Sequence, residues 1–482
     1  MTTGTVQQMF VGGEWRSSAT GETFEASSPV TGELIAAIPQ GDRDDARRAI
    51  TAAHEAADHW ARLTAFERAD KMHAVGDLIE SRRDELAKTL TLDQGKPLRA
   101  EAFDEVDELI EYWRMAAEDA KRLGGELPNS FSPGKRVMLV RRPRGVVGVI
   151  SPWNWPYTMP AELIAPALAC GNAVVWTPAP STAVCAIALA RCIADADLPA
   201  GVFNLVTGPG PVVGDEIARN PGTDGVAFIG STATGRLVAQ AAAGKAALLE
   251  MGGNGPLVVM DDADLEAAVQ ATLTACYLCA GQSCTAGERI LVHRAVRDEF
   301  VELLARRVTE LIVLGDPFND DTTMGPLNNE PVAAKMDEHV GDAVARGAQV
   351  VAGGSRAAGF PTRLYWEPTV LTDVPPDARV AVEETFGPVA PVVAIDSLQD
   401  AITLTNASPY GLLSAIFTAN LRDGLEFADR VRTGWVNVNE SSNYWEAHLP
   451  FGGRAGTDSG IGRVGGAHVM HSFTELQTVV IS

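Results

Sequence analysis

Gly225-Val226-Ala227-Phe228-Ile229-Gly230-Ser231-Thr232-Ala233-Thr234-Gly235 places an apolar strand directly before a glycine-rich turn and the start of a helix. The same order occurs just upstream, where apolar residues 202–206 precede a turn that contains Gly208, Gly210 and Gly214. Strands that alternate with helices in this way form a parallel sheet. One such turn is more often ordinary strand-to-helix geometry, but two in succession favour a dinucleotide, whose pyrophosphate can sit at a helix N-terminus.

The pattern continues on both sides of this stretch. Residues 41–125 have apolar side chains at helical spacing, and residues 145–150 and 173–176 have the composition of buried strands. A new apolar segment at 256–260 indicates a second α/β domain, and a β-rich strand at 474–481 closes the chain. Terminal strands of this kind often pair with another subunit. With 482 residues, the chain is expected to form two or three domains of the α/β class.

Composition excludes several classes of partner. The formal net charge of −23 argues against nucleic acid and anionic membrane surfaces, which need clustered Lys and Arg. Residues 1–8 show neither the basic nor the apolar region of a signal peptide, and no run of ~18 apolar residues predicts a membrane span. Six cysteines are too few for a disulfide scaffold in a chain of this length, so we expect a reducing cytosol.

Cys276 and Cys279 form a C-x-x-C pair, which is compatible with zinc binding or redox chemistry. A second pair of Cys or His at ligand spacing is missing from the sequence that follows. Burial as small hydrophobic side chains is therefore favoured, and we predict no metal site.

Three segments carry the groups needed to attack a carbonyl. Cys284 lies among small residues in segment 281–285, Glu250 is followed closely by Gly252 and Gly253, and Asn154 lies between bulky neighbours in segment 151–156. A thiolate can attack a carbonyl carbon, a carboxylate can activate water, and an amide can stabilise an oxyanion. Taken singly, each has an ordinary structural explanation: a buried cysteine, a helix-end acid, a turn cap. Their combination in this order favours catalysis.

Because of these segments, the chain resembles the aldehyde dehydrogenase superfamily, in its NAD(P)-dependent, hydrolytic form. The resemblance implies that Cys284 forms a thiohemiacetal and then a thioester, while Asn154 and the backbone N–H of Cys284 hold the oxyanion. Glu250 would activate the hydrolytic water, and the product would be a carboxylic acid. The matching segments are 10–15, 151–156, 228–235, 249–253, 281–284, 383–389 and 450–453.

The resemblance also implies that NAD or NADP is the coenzyme. Glu384 would hold the nicotinamide ribose and Phe386 would position the ring. Thr177 stands where the family usually has lysine, and Pro180 stands where NAD-preferring members often have glutamate, so we expect weak discrimination between the two coenzymes. The other residues expected to line the coenzyme cleft are Trp153, Gly210, Gly214, Phe228, Gly230 and Ser231.

The substrate is expected to be a small aldehyde that enters through a tunnel. None of the expected tunnel residues is Arg or Lys, which favours an aromatic or medium-chain aldehyde over an anionic semialdehyde. Glu162 leaves open a cationic aldehyde. Residues 439–449 form a loop that is longer than the common one, and its two aromatic side chains could instead pack against a neighbouring subunit. The expected tunnel residues are Trp155, Met159, Glu162, Leu278, Tyr444, Trp445 and Phe451.

The expected architecture is a Rossmann-like coenzyme domain (1–122 and 143–252), an α/β catalytic domain (253–453) and a small β arm (123–142 and 466–482). By resemblance, the arm would make a homodimer or homotetramer. Two alternatives remain. A CoA-acylating semialdehyde dehydrogenase would not need Glu250 to activate water. A thiol esterase, or a non-catalytic relative whose coenzyme site has decayed, would not need to retain Glu384 and Phe386.

Overall fold

The structure of the chain, a computed structural model, describes residues 5–482. The first four residues, which belong to the segment examined for a signal peptide, lie outside this range. The strands are β1 (Thr5–Val6), β2 (Met9–Val11), β3 (Glu14–Arg16), β4 (Thr23–Ser27), β5 (Leu34–Pro39), β6 (Arg136–Pro143), β7 (Val146–Ser151), β8 (Ala173–Pro178), β9 (Phe203–Leu205), β10 (Gly225–Ile229), β11 (Ala246–Glu250), β12 (Pro256–Val259), β13 (Arg289–His293), β14 (Gln349–Ala352), β15 (Thr369–Thr372), β16 (Val389–Ile395), β17 (Leu413–Phe417), β18 (Trp435–Val438), β19 (Gly460–Ile461) and β20 (Thr474–Ile481).

The α-helices confirm the predicted alternation with strands. They are α1 (Arg43–Arg62), α2 (Ala65–Ser81), α3 (Arg83–Gln94), α4 (Phe103–Arg122), α5 (Thr158–Ala169), α6 (Ala183–Asp195), α7 (Asp215–Arg219), α8 (Thr232–Ala241), α9 (Leu265–Tyr277), α10 (Arg297–Leu311), α11 (Glu330–Ala345), α12 (Arg379–Val382), α13 (Leu398–Ala407), α14 (Leu421–Arg430) and α15 (Gly466–Ser472).

The helical segment at the beginning of the chain is interrupted by specific caps. Asp42 and Asp45 form a reciprocal capping box at the start of α1, and Thr64 and Glu67 form another at the start of α2. The helix α3 ends at Gly95, whose left-handed backbone satisfies the last turn. These caps fix α1 to α4 as separate helices, and α2, α3 and α4 contribute to the largest apolar core together with α5 and α6.

The first large sheet has eight strands in the order β19-β11-β10-β7-β8-β9-β2-β3. The strands β7 to β11 run parallel, with β8 and β9 on one side of β7 and β10 and β11 on the other. The chain therefore reverses its direction of strand addition beside β7. In open parallel sheets, ligands bind outside the carboxyl ends of the strands at such a reversal.

The second large sheet has seven strands in the order β14-β15-β16-β13-β12-β17-β18 and encloses a separate apolar core. Its strands are parallel except for β14, which pairs antiparallel with β15. This sheet confirms the second α/β unit that the apolar segment at 256–260 indicates.

The arm is a two-stranded antiparallel ribbon. The pairing of β6 with β20 runs from Pro143 opposite Thr474 to Arg136 opposite Ile481. The terminal strand therefore pairs with β6 in the arm that the sequence predicts from residues 123–142 and 466–482. Among the described residues, no helix is both long and apolar enough to cross a membrane.

Candidate active site

The predicted catalytic residues lie where the two large sheets meet. Glu250 is the last residue of β11, and Asn154 lies in the loop between β7 and α5. Both positions follow the carboxyl ends of strands in the first sheet. Cys284 and Glu384 lie in loops that precede β13 and β16 of the second sheet. The fold thus brings together residues that are up to 230 positions apart in sequence.

The loop that carries Cys284 is held in an unusual backbone conformation. Cys279 and Ala280 both have φ of +53°, and Gly281 has φ of +70°. A Cβ on Gly281 would lie 2.2 Å from the carbonyl oxygen of Gly387, so only glycine fits there. Both carboxyl oxygens of Glu101 accept the backbone N–H of Cys279, at 3.0 and 3.1 Å. These contacts fix the loop before the nucleophile.

Asn154 is buried and held by the same loop. Its side-chain Nδ2 donates to the carbonyl oxygen of Gln282 at 3.0 Å. The Gln282 side chain donates to the carbonyl oxygen of Cys279 at 2.8 Å and accepts from the N–H of Asn328 at 2.9 Å. An amide nitrogen carries two hydrogens, so Asn154 keeps one donor after this bond. The arrangement fits an oxyanion donor beside Cys284.

Two cavities meet at the predicted nucleophile. The first is the predicted substrate tunnel, and the second, which is the larger, is the predicted coenzyme cleft. Cys284, Glu250 and Met159 line both of them. A thiol at such a junction can contact one ligand from each side.

Six of the seven expected tunnel residues line the first cavity: Trp155, Met159, Glu162, Leu278, Trp445 and Phe451. Tyr444 does not, and this part of the expectation is corrected. Its ring is exposed and its hydroxyl donates to Glu446 at 2.5 Å, so the side chain points along the loop instead of into the cavity. The cavity is completed by Glu250, Ser283, Cys284, Thr285, Asn443 and Val464.

The coenzyme cleft contains all but one of the residues expected for it: Trp153, Thr177, Gly210, Phe228, Gly230, Ser231, Glu384 and Phe386. Gly214 is the exception and is corrected. It is buried behind the cleft, where an added Cβ would contact Ile150 and Thr177 at 3.7 Å.

The cleft has the features that a dinucleotide requires. A Cβ on Gly210 would meet no atom within 4 Å, so backbone there faces open space. The helix α8 opens at the cleft with Ser231 as its N-cap and no acidic residue in its first turn, which leaves the helix dipole available to a pyrophosphate. Glu384 accepts the N–H of Gly253 at 2.9 Å and lines the cleft with its carboxylate.

Burial controls the charge of the reacting groups. Burial raises the pKa of Glu250 to about 8, with a smaller upward contribution from Glu384 and an opposing one from the Cys284 thiol. Burial, followed by the neighbouring Glu250, raises the pKa of Cys284 well above that of a free thiol. Both groups are therefore mainly protonated at neutral pH before a ligand binds.

Several residues of the site are not marked by any motif. Glu288 accepts the N–H groups of Thr385 and Phe386 at 2.8 and 2.7 Å, and it thereby fixes Phe386 at φ of +61°. Phe386 packs edge-on against Trp153, with ring centroids 5.5 Å apart. Lys335 supplies a cation to the cleft from α11. The sequence holds one signal for Glu288: it is an acid next to Arg289 at the start of an otherwise apolar strand.

Asn443 is a further residue that sequence reasoning missed. It lines the tunnel, its Oδ1 accepts from Thr285, and its Nδ2 donates to the carbonyl oxygen of Thr274 at 2.7 Å. The unusual length of the loop 439–449 marked this segment in the sequence, but we selected the aromatic residues Tyr444 and Trp445 and not Asn443 beside them.

The other cysteines are free and buried, and Cys284 alone is partly exposed. Cys276 contacts the carbonyl oxygen of Gly287 through its sulfur at 3.2 Å, and Cys279 lies beside Gln94. Within residues 5–482, no group of His, Cys, Asp and Glu is arranged to hold a metal ion.

Comparison with known proteins identifies relatives over almost the whole chain. The model of the aldehyde dehydrogenase family matches residues 15–479. The glutarate-semialdehyde dehydrogenase of Pseudomonas aeruginosa is 39% identical, over 98% of this chain and 96% of the relative. The NADP(+) succinate-semialdehyde dehydrogenase of Escherichia coli is 37% identical, over 98% of both. A crystal structure of an NAD-dependent aldehyde dehydrogenase from Sinorhizobium meliloti superimposes with a TM-score of 0.95 at 35% identity, over 99% of this chain and 95% of that one.

The exposure of the six thiols generates a prediction. Iodoacetamide should modify Cys284 first, because the other five thiols are buried. Only the thiolate reacts, and the pKa of Cys284 is raised, so the rate should rise about tenfold per pH unit between pH 7 and 9. Peptide mapping by mass spectrometry measures the site and the rate, with Cys284→Ser as the control. A rate that is independent of pH would contradict the protonated state of this thiol.

Proposed function

Because this chain belongs to the aldehyde dehydrogenase family, we propose that Cys284, Glu250 and Asn154 carry out the oxidation of an aldehyde to a carboxylic acid with NAD or NADP. One observation carries the proposal. The thiol of Cys284 and the carboxyl of Glu250 lie at the junction between a coenzyme-sized cleft and an apolar cavity.

The first step forms a bond between sulfur and carbon. Cys284 releases its proton to solvent, and the thiolate attacks the carbonyl carbon of the aldehyde. The carbonyl oxygen becomes an oxyanion, which the second Nδ2 hydrogen of Asn154 and the N–H of Cys284 stabilise. Glu384 and Phe386 would hold NAD or NADP in the cleft, where the coenzyme would take up the hydride from this carbon; the acyl group would then remain on Cys284 as a thioester.

The second step returns the enzyme to its starting state. Glu250 removes a proton from a water molecule, which attacks the thioester carbon. The carbon–sulfur bond breaks, the acid leaves, and the sulfur is protonated. A base whose pKa is about 8 suits this task, because it is strong enough to activate water and is still ionised in an appreciable fraction near neutral pH.

The alternatives are less well supported by the same geometry. Glu250 lies in the wall of both cavities beside Cys284, where a CoA-dependent acyl transfer would have no use for a base that activates water. The cleft around Glu384 and Phe386 is intact, which weighs against a decayed coenzyme site and a simple thiol esterase.

The ribose end of the cleft supports use of both coenzymes. Pro180 is exposed at the cleft, and Thr177 lines it with a hydroxyl that makes no hydrogen bond to any described residue. Neither supplies the carboxylate that would repel a 2′-phosphate or the cation that would attract one. Selection between NAD and NADP is therefore expected to be weak.

The substrate cavity lacks the positively charged residue that the substrates named for the relatives would require. Glutarate and succinate semialdehydes carry a carboxylate, and a protein site for a carboxylate usually offers Arg or Lys. None of the described residues that line the cavity is Arg or Lys, and Glu162 and Glu250 are both acidic. We propose that the substrates are aldehydes without an anionic group, which include aromatic and medium-chain aldehydes.

The arm supports assembly into a dimer or tetramer. Leu476, Val480 and Ile481 are exposed on β20, whose outer edge is unpaired among the described residues. An apolar strand edge of this kind readily pairs with a second copy. The six free cysteines fit a reducing cytosol as the compartment.

Rapid mixing with saturating aldehyde and coenzyme tests the assigned roles. Cys284→Ala should produce no reduced coenzyme, whereas Glu250→Gln should produce one equivalent per site in a burst, followed by turnover about 10²-fold slower. The burst is expected because the hydride leaves before water attacks. Stopped-flow absorbance at 340 nm measures it, and Cys276→Ala serves as the control. Substantial turnover in Cys284→Ala, or acceleration by added CoA, would overturn the assignment.

Coenzyme choice gives a second prediction. The native protein should use NADP as well as NAD, with kcat/KM values that differ by less than about 10³-fold, or about 4 kcal/mol. Pro180→Glu should shift the ratio towards NAD, because a carboxylate accepts hydrogen bonds from the ribose hydroxyls and repels a 2′-phosphate. The measurement is the initial rate with NAD and with NADP, each over the same series of aldehyde concentrations. A larger native preference would mean that other residues discriminate.

The aldehyde panel gives a third prediction. Benzaldehyde and hexanal should each have a kcat/KM at least about tenfold above that of succinic semialdehyde, a difference of about 1.4 kcal/mol. The physical reason is that an anionic group would enter a cavity with two acids and no cation. Initial rates at fixed coenzyme decide the order. A clear preference for the anionic substrate would show that a basic group reaches the cavity.

A further inference from the structure

Glu162 is a buried carboxyl for which the reaction has no use. It lies on α5, is 2% exposed, and faces the substrate cavity. Its Oε1 makes no hydrogen bond to any of the described residues. The buried hydroxyl of Tyr112 faces the Glu162 carboxyl within hydrogen-bonding range, but Tyr112 does not line this cavity. Buried polar atoms are normally satisfied, so the unpartnered Oε1 of Glu162 at the cavity wall points to a ligand.

The surroundings of Glu162 are acidic. Burial raises its pKa far above the ordinary value, and the charges of Glu250 and Glu108 raise it further. Burial also raises the pKa of Glu108 to about 8. The buried cation of this region, Lys96, is paired with Glu105 and does not line the cavity. The carboxyls at the cavity therefore lack a positive partner.

Aromatic rings complete the walls around this carboxyl. Trp155, Trp445 and Phe451 line the same cavity as Glu162. The ring of Trp445 lies 6.1 Å from that of Phe451 and 6.2 Å from that of Tyr112, measured between centroids. Rings that surround a cavity with a carboxylate at one side form the kind of site that binds ammonium groups, through cation–π attraction and an ion pair.

The loop 439–449 at the mouth of the cavity is acidic, like the surroundings of Glu162. Residues 439–449 include Glu440 and Glu446 and contain no Lys or Arg. Charges of one sign around an entrance raise the local concentration of ligands of the opposite sign.

We propose that the cavity selects aldehydes that carry an ammonium group distant from the carbonyl, with Glu162 as the ion-pair partner and Trp445 and Phe451 as the aromatic walls. The proposal rests on the proposed function and names the substrate class for the same site. Glu162 becomes ionised when the cation binds, and its proton passes to solvent. The aldehyde carbon then lies towards Cys284, and the ammonium group lies towards α5.

The experiment uses two aldehydes of the same shape that differ in charge. 4-(Trimethylammonio)butanal and 5,5-dimethylhexanal differ only in the replacement of the quaternary nitrogen by carbon. The native protein should oxidise the cationic aldehyde with a kcat/KM at least about tenfold higher, since each tenfold corresponds to 1.4 kcal/mol. Initial rates of coenzyme reduction measure both values. A ratio at or below one would overturn the proposal.

Glu162→Gln removes the charge and keeps the shape, so its ratio of the two kcat/KM values should fall about tenfold, towards one. Glu108→Gln is the matched control, because Glu108 is a neighbouring acid that does not line the cavity, and its ratio should stay at the native value. If both variants changed the ratio equally, the general field of the acids would account for the selectivity, and Glu162 would lose its assigned role.

A measurement on the native protein tests the proposal even if the Glu162→Gln variant does not fold. The butyltrimethylammonium ion should slow the alkylation of Cys284 by iodoacetamide more strongly than the butanoate ion at the same concentration. Equal protection would overturn the proposal. The failure of the proposed function looks different: the native protein would then reduce no coenzyme with either aldehyde. Oxidation of both aldehydes at equal rates would leave the reaction intact and remove only the selectivity for cations.

Discussion

One buried ammonium group holds the segments of the active site in place. The Nζ atom of Lys96 lies 2.5 Å from Glu105 and 3.7 Å from the ring centre of Trp155. Glu105 also accepts backbone N–H groups at the start of α5, the helix that follows the Asn154 loop. In the turn just before α4, Glu101 accepts the N–H of Cys279; burial raises the pKa of Glu101 to about 7, and the charge of Lys96 opposes this rise. A buried cation without acids beside it would cost about several kcal/mol of folding free energy. Lys96, Glu101 and Glu105 therefore depend on one another for stability.

The placement of this cation explains the chemistry next to it. Lys96 forms an ion pair with Glu105 and lies over the ring of Trp155, outside the substrate cavity. None of the described residues that line the cavity carries a positive charge. Burial raises the pKa of both Glu250 and Cys284, so both groups are mainly protonated in the resting protein. A buried site of this kind limits unproductive ionisation before ligands occupy the two cavities.

The sequence was sufficient for the features that depend on local pattern. Alternating strands and helices predicted the parallel sheet, and the strand before Gly230 was placed to the residue as β10. The identities of Cys284, Glu250 and Asn154 followed from chemistry and from family motifs, and the structure brings all three to one junction. Tyr444 was misplaced because a motif gives the position of a residue along the chain but not the direction of its side chain. Gly214 was misplaced because the motif does not show which glycine of the turn borders the cleft.

The features that sequence reasoning missed depend on contacts between distant segments. Glu288 and Phe386 are 98 positions apart, yet the carboxyl of Glu288 accepts the N–H of Phe386 at 2.7 Å. A non-glycine residue at φ of +61° is strained, and such a residue persists only where its surroundings fix it. The acid therefore stabilises a backbone conformation that places an aromatic ring in the coenzyme cleft. No local pattern around either residue encodes this pairing, because the requirement arises only once β13 and β16 lie side by side in the second sheet.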